Sequence, residues 1–405
     1  MRALILGARA PACLEWARAL TAENWYVSVA DSLRWPLTKF SIAGKHYWQL
    51  PEPRENPARW IQALKKLVIQ EKIDWIIPTC EEVFYLAWGA AELTPHCQLF
   101  TSDFELLSQL HHKGLFAQMT QDWPVRVPQT HIITNKDELL QYSSHSEKYV
   151  FKPAFSRFAT QTLLRPNPHE LTALKPTVQS PWVVQEFIAG KEHCSFSLIQ
   201  QGTLITHACY HPRYRVGRGS GIYFEVTQPK AVEEFVQKFA QKTGYNGQVG
   251  FDFIEDHDGN FFVLECNPRA TSGVHLFNNN SAALLNSITP TNHNETLQQQ
   301  NSVIYPSNNP RMSSMGMLLF AAAKQGWKKA FWQDYKSAQD IITHQGEYKP
   351  YYAQLLGLME MTIRVLQKRC SLLAAVTADI EWDGQPMTIN RDEQSSRFRG
   401  DRTCN

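Results

Sequence analysis

The sequence lacks most marks of a specialised class. Its net charge is only +2, from 40 Lys and Arg against 38 Asp and Glu. It therefore has no basic excess of the kind that draws nucleic acid or an anionic membrane. The longest apolar stretch, MGMLLFAAA at 315–323, falls far short of the roughly 18 residues of a membrane span. The eight cysteines, at 13, 80, 97, 194, 209, 266, 370 and 404, form no C-x-x-C pair and no Cys/His cluster with zinc spacing. Scattered thiols fit a reducing, cytoplasmic compartment. The N-terminal apolar stretch is broken by Arg9, Glu15 and Arg18 before it reaches secretory length, so a buried strand and helix are expected there. Glycine is missing where a dinucleotide fingerprint needs it. After Gly7 comes ARAPAC instead of G-x-G-x-x-G, which argues against a nicotinamide oxidoreductase that would place Asp31 on a ribose. No internal repeat is present.

What remains is a globular composition, 43% hydrophobic and 19% charged over 405 residues. That length suits two or three domains. Strand-like segments at 3–7, 26–31 and 74–80 alternate with helical spacing at 10–21 and 60–72. Alternation of this kind predicts a parallel, doubly wound sheet. A new helix opens at 111–119, and from about 120 the texture becomes α+β. Strands are expected at 125–133, 148–155 and 181–188, with a helix at 136–143. A hairpin over 195–210 turns at Gln201-Gly202, a helix spans 230–244, and a second hairpin spans 249–267. Residues 286–310 read as a polar surface loop, 311–332 and 350–378 as helices, and 377–384 as a strand candidate.

The second hairpin, GFDFIEDHDGNFFVLECNPRA (250–270), carries the most chemistry. Asp258-Gly259 between alternating apolar runs predicts a two-residue turn. That turn places Asp252 opposite Glu265, with Asn267 on the same face and Cys266 on the other. Ile254 and Val263 are expected to share the Asp252 face. A one-residue bulge at the tip would shift this register. Two carboxylates that close repel unless something positive lies between them. An all-oxygen set without nitrogen or sulfur suits magnesium, which also takes phosphate oxygens. A second basic feature is HPRYRVGRGSGIYFEV (211–226), where His211, Arg213, Arg215 and Arg218 stand among glycines. It reads as a lid over an acidic substrate or a leaving phosphate.

The pattern D-F-x-x-D-x-D-G-x-x-F-V-x-E-C-N-P-R resembles the metal strands of the ATP-grasp superfamily, most closely the carbamoyl-phosphate-synthase-like carboxylate–amine ligases. The resemblance spans roughly 1–280. It implies a Rossmann-like pre-ATP-grasp domain (1–110), a first ATP-grasp subdomain (111–190) and a second with the metal hairpin (191–310). A helical C-terminal region (311–395) and a frayed tail (396–405) would follow. It further implies ATP and Mg2+ as cofactors, with two ions and Mn2+ as a substitute. Asp252, Glu265 and Asn267 would be the metal ligands. Lys113, Lys152, Ser156, Arg157, the hinge Gln185-Glu186-Phe187-Ile188 and Glu192 would hold ATP. Arg269, Lys152 and Arg218 would be catalytic, and Arg213, Arg215, Arg218 and Arg269 would meet the substrate. The loop after Lys152, PAFSRFATQT, lacks the family's usual glycines, so Ser156, Arg157 and Thr160 would assist the amides there. The implied reaction joins a small-molecule carboxylate to an amine through an acyl phosphate, with a homodimer as an option. The alternatives are a phosphotransferase that stops at phosphorylation and a silent nucleotide-sensing relative.

Overall fold

The computed structural model describes residues 1–156, 161–216, 219, 221–278, 280–289, 302–344 and 346–387. The first five strands are β1 (Arg2–Leu6), β2 (Tyr26–Asp31), β3 (His46–Gln49), β4 (Trp75–Ile77) and β5 (Gln98–Leu99). They form a parallel sheet in the order β3-β2-β1-β4-β5. The expected doubly wound sheet is therefore present. Helix α1 (Pro11–Ala22) begins with Pro at its first turn, where the missing N–H costs nothing, and buries Leu14, Trp16 and Leu20. Helix α2 (Pro57–Glu71) is capped by Asn56, which accepts from the Arg59 amide.

No dinucleotide could use the first loop in the ordinary way. The Arg9 guanidinium lies 2.6 Å from both Asp31 and Asp379, and all three side chains are buried. Asp31, the acid a ribose would need, is also bonded to the amides of Arg9 and Leu33. Asp379 brings the C-terminal region onto the N-terminal sheet, and other pairs reinforce the contact. Arg18 binds Glu347, and Arg364 binds Glu52.

A second sheet contains β6 (Thr130–Ile133), β7 (Tyr149–Pro153), β8 (Leu163–Leu164) and β9 (Trp182–Glu186), in the order β6-β9-β7-β8. The third sheet has seven strands. These are β10 (Lys191–Gln200), β11 (Thr203–Arg215), β12 (Gly221–Thr227), β13 (Gly247–Glu255), β14 (Phe261–Asn267), β15 (Arg311–Met312) and β16 (Gln339–Asp340). Their order is β14-β13-β10-β11-β12-β15-β16. The last two strands correct the expectation of a helix over 311–332: Arg311–Met312 pairs with β12 and extends the sheet. The strand expected within 377–384 is absent. That segment is held instead by side chains, Asp379 on Arg9 and Trp382 among aromatic rings. The helix Lys349–Lys368 does form, while the tail at 396–405 lies outside the described residues.

The β10–β11 hairpin turns at Gln201-Gly202, with both residues at positive φ, as predicted. The second hairpin differs. Only Gly259 has positive φ, and the Asp256 amide donates to the Asn260 carbonyl at 2.9 Å, closing a three-residue tip. This tip shifts the pairing by one, so Phe253 faces Val263. A bulge between Asp252 and Phe253 then restores the register, and Asp252 faces Glu265 after all. One consequence is that Val263 belongs to the core side, while Leu264 lines the cleft beside Glu265.

Candidate active site

Alternation along β13 buries Phe251 and Phe253 and turns Asp252 and Ile254 toward the cleft. The buried face packs on the helix Lys230–Thr243, with Phe235 and Phe239 at 5.2 and 4.9 Å from Phe251. Phe116, 5.9 Å from the same ring, fixes the helix Lys113–Met119 against this core. His112 caps that helix by accepting the Gly114 and Leu115 amides. Lys113, at its first turn, is thereby aimed at the β13–β14 hairpin. Lys152 reaches the same point from β7, whose alternate residue Phe151 is fully buried in the opposite core.

Both lysines are buried, and both face one carboxylate oxygen. Lys113 Nζ lies 3.5 Å and Lys152 Nζ 3.8 Å from Glu265 Oε2. Lys113 also donates to the Ser156 carbonyl at 2.9 Å. Burial, joined by the charge of Lys113, pushes the Lys152 pKa down to about 8, against the pull of Glu265. Burial opposes the Glu265 charge, but the two lysines outweigh it and hold its carboxyl below the ordinary range. Asp252 moves the other way, raised by burial and by Glu265. Asn267 Nδ2 donates to Asp252 Oδ2 at 3.1 Å, and Asn267 Oδ1 accepts from Arg269 Nη2 at 3.1 Å.

The donor chemistry of Asp252, Glu265 and Asn267 fits a hard cation: two carboxylates and an amide oxygen, clustered on one sheet face. Among the described residues no group of three or more His, Cys, Asp or Glu side chains could hold a metal alone. This trio would leave coordination positions for phosphate oxygens.

These residues separate two cavities. The first, about 270 Å³, lies between the second and third sheets. It is lined by Lys113, Lys152 and Ser156 on one side, the hinge 185–188 on another, and Glu192, Asp252 and Glu265 on the third. Within the hinge, the Gln185 side chain is buried and donates to Thr130. The Glu186 and Phe187 amides are engaged by the Gln129 and Lys148 carbonyls. Ile188, among the described residues, presents an amide without a protein acceptor. Glu192 is half-exposed and paired with Arg215. The second cavity, about 420 Å³, lies between the third sheet and the start of α1. Arg215, Cys194, Asp252 and Glu265 line both cavities, and Asn267 and Arg269 line the second. Tyr210, Phe224 and Ile341 give it an apolar wall.

One expected substrate residue is elsewhere. Arg213 points away from both cavities and pairs with Asp334 at 3.1 Å, because β11 is bulged on either side of Tyr214. Arg157, Thr160 and Arg218 lie outside the described residues.

Sequence reasoning missed Glu81, a fully buried acid 3.4 Å from Arg269 Nε. Its signal was two adjacent acids directly after an apolar strand, IIPTCEE (76–82). It also missed Trp382, whose ring lies 5.2 Å from Phe155 and from Phe84. Phe155 directly precedes Ser156, so the C-terminal segment braces the start of the loop after Lys152.

The architecture defines a class: an α+β clamp of two sheets closing on a lysine-lined cleft, preceded by a parallel α/β domain. Residues 112–273 match a family model described as the ATP-grasp domain. No curated protein is significantly similar to the chain in sequence. Solved structures share the fold. The N5-carboxyaminoimidazole synthetase of Staphylococcus aureus superposes with a TM-score of 0.58 at 12% identity, over 81% of this chain and 86% of its own. The L-amino acid ligase of Bacillus licheniformis gives 0.57 at 16% identity, over 75% and 77%. The biotin carboxylase domain of the Hydrogenobacter thermophilus 2-oxoglutarate carboxylase, solved with MgADP and bicarbonate, gives 0.54 at 16% identity, over 67% and 64%.

Proposed function

We propose that the chain is an ATP-dependent ligase that activates a carboxylate as an acyl phosphate and joins it to an amine, releasing ADP and phosphate. The observation that carries this reading is the pair of buried lysines sharing Glu265 at the junction of the two cavities. Two buried ammonium groups converging on one carboxylate oxygen, with Asp252 as the second acid beside it, form a site that a polyphosphate with its cation would satisfy. The 270 Å³ cavity then takes the nucleotide, with the Ile188 amide on the adenine edge and Glu192 on the ribose. Asp252, Glu265 and Asn267 would hold Mg2+, which supplies neutralisation of phosphate charge when bound. Arg269 faces the oxygens on which charge builds, and positioning supplies the rest, since phosphoryl transfer needs little covalent help. The 420 Å³ cavity takes the carboxylate and then the amine, with Arg215 within reach of the carboxylate. The structural neighbours named synthetase, ligase and carboxylase support this reading by fold.

The test is an ADP-release screen of amino and hydroxy acids, singly and in pairs, with mass spectrometry of the products. A condensed product is expected, and Asp252→Asn and Glu265→Gln should remove most turnover. A phosphorylated product without condensation would replace the ligase by a phosphotransferase. ADP release unchanged in both variants would sink the site assignment.

The protein is also read as a homodimer through the helix Lys349–Lys368. Its outer face carries exposed Tyr352, Leu355, Met359, Ile363 and Leu366 at three- and four-residue spacing. Such a contiguous apolar face is of the kind that stable interfaces, roughly 800 Å² per partner, are built on.

A further inference from the structure

The N-terminal domain lines the second cavity, and one of its acids meets Arg269 there. Glu81 follows β4 and is fully buried, and its carboxylate lies 3.4 Å from Arg269 Nε. The loop that carries it is fastened on every side. Glu82 Oε1 accepts the Thr79 and Cys80 amides, each at 2.9 Å. Thr79 Oγ1 donates to the Leu6 carbonyl at 2.7 Å. From the third sheet, Gln248 Nε2 on β13 donates to the Pro78 carbonyl at 2.6 Å, while Gln248 Oε1 accepts from Trp16 on α1. The loop is thus tied to the strand that presents Asp252.

Arg269 is held on three edges. Nε faces Glu81, Nη2 donates to Asn267 Oδ1, and Nη1 donates to the Ala270 carbonyl at 3.1 Å. A guanidinium has five N–H donors, so two remain for an incoming oxyanion. A carboxylate taken wholly out of water is costly unless it is paired, and domain docking alone could use apolar side chains at lower cost.

We propose that Glu81 is a positioning residue. It holds the Arg269 guanidinium at the junction of the two cavities, so that the N-terminal domain sets the geometry in which the transferred phosphoryl group is stabilised. This rests on the reading of Arg269 given above. The geometry acts on the transition state and leaves ground-state nucleotide binding alone, because Glu81 does not line the first cavity.

The test needs no acceptor substrate. The affinity of the full-length protein for MgADP is measured by calorimetry with and without aluminium fluoride, a planar mimic of the transferring phosphoryl group. The wild type should bind MgADP at least tenfold tighter with fluoride. Glu81→Gln should bind MgADP within twofold of wild type but lose most of the fluoride enhancement. Arg269→Ala should lose it too, and the double variant should match Arg269→Ala alone, since residues acting as one unit are non-additive. Glu81→Asp, which keeps the charge one methylene shorter, should show a partial loss and serves if Glu81→Gln does not fold. Full enhancement in Glu81→Gln or Glu81→Asp, or additive losses in the double variant, would overturn the inference. No enhancement in the wild type would overturn the phosphoryl-transfer reading itself.

Discussion

Replacing Glu265 by Gln removes the negative charge between two buried ammonium groups and keeps the side-chain volume. In the wild type that carboxylate lies 3.5 and 3.8 Å from Lys113 and Lys152. Breaking a buried ion pair by deleting one partner costs about 3–5 kcal/mol. Here the loss is capped, because Lys152 can shed its proton: its pKa is already about 8 with Glu265 present. Each unit of further depression is worth about 1.4 kcal/mol, so a net loss of about 2–4 kcal/mol is expected at pH 7. A lysine whose pKa is lowered by folding costs stability at pH below its folded value. That cost fades as pH rises from about 8 toward the ordinary 10.5. The gap between variant and wild type should therefore be larger at pH 7 than at pH 9.5. The assay is thermal unfolding in EDTA at both values. Metal-free ATP, a polyanion, should raise the midpoint more in Glu265→Gln than in the wild type, since it restores the lost counter-charge. Equal midpoints at pH 7, or no gain from ATP in the variant, would refute the idea that these lysines await phosphate.

Asp379→Asn leaves Arg9 with Asp31 alone and should lower stability by about 2–3 kcal/mol in urea unfolding. Burial opposes the Asp379 charge, yet Arg9 holds its pKa down to about 2. That contribution is complete above about pH 4 and disappears as pH falls toward 2, so the gap to wild type should be constant from pH 7 to 5 and close only below 4. If the chain forms the proposed homodimer, Leu355→Asp together with Met359→Asp should convert it to a monomer by light scattering without altering MgADP affinity. A wild type that is monomeric at tens of micromolar would exclude that interface.

Much of the cleft was legible because it depends on local alternation. The two-residue period of FDFIE and FVLECN decides which residues leave the core, and Lys152 follows Phe151 by the same rule. The hairpin shows where this ends. Asp252 does face Glu265, but the predicted turn is wrong, and two one-residue irregularities cancel. A bulge is decided by how the strand meets its neighbours, which a single strand's sequence does not record. Arg213 illustrates the converse: its residue type suits a substrate loop, but strand curvature turns it toward Asp334.

By itself, the sequence determined the class of most segments and the carboxylate hairpin, which follow from periodicity; the two lysines were named by the family resemblance, with the cost of burying charge in support of Lys152. Only the tertiary structure decided which distant charges meet. Glu81 reaches Arg269 across 188 positions, Arg9 reaches Asp379, and Trp382 reaches Phe155. Contacts between domains depend on the packing of whole sheets, and no local spacing encodes that.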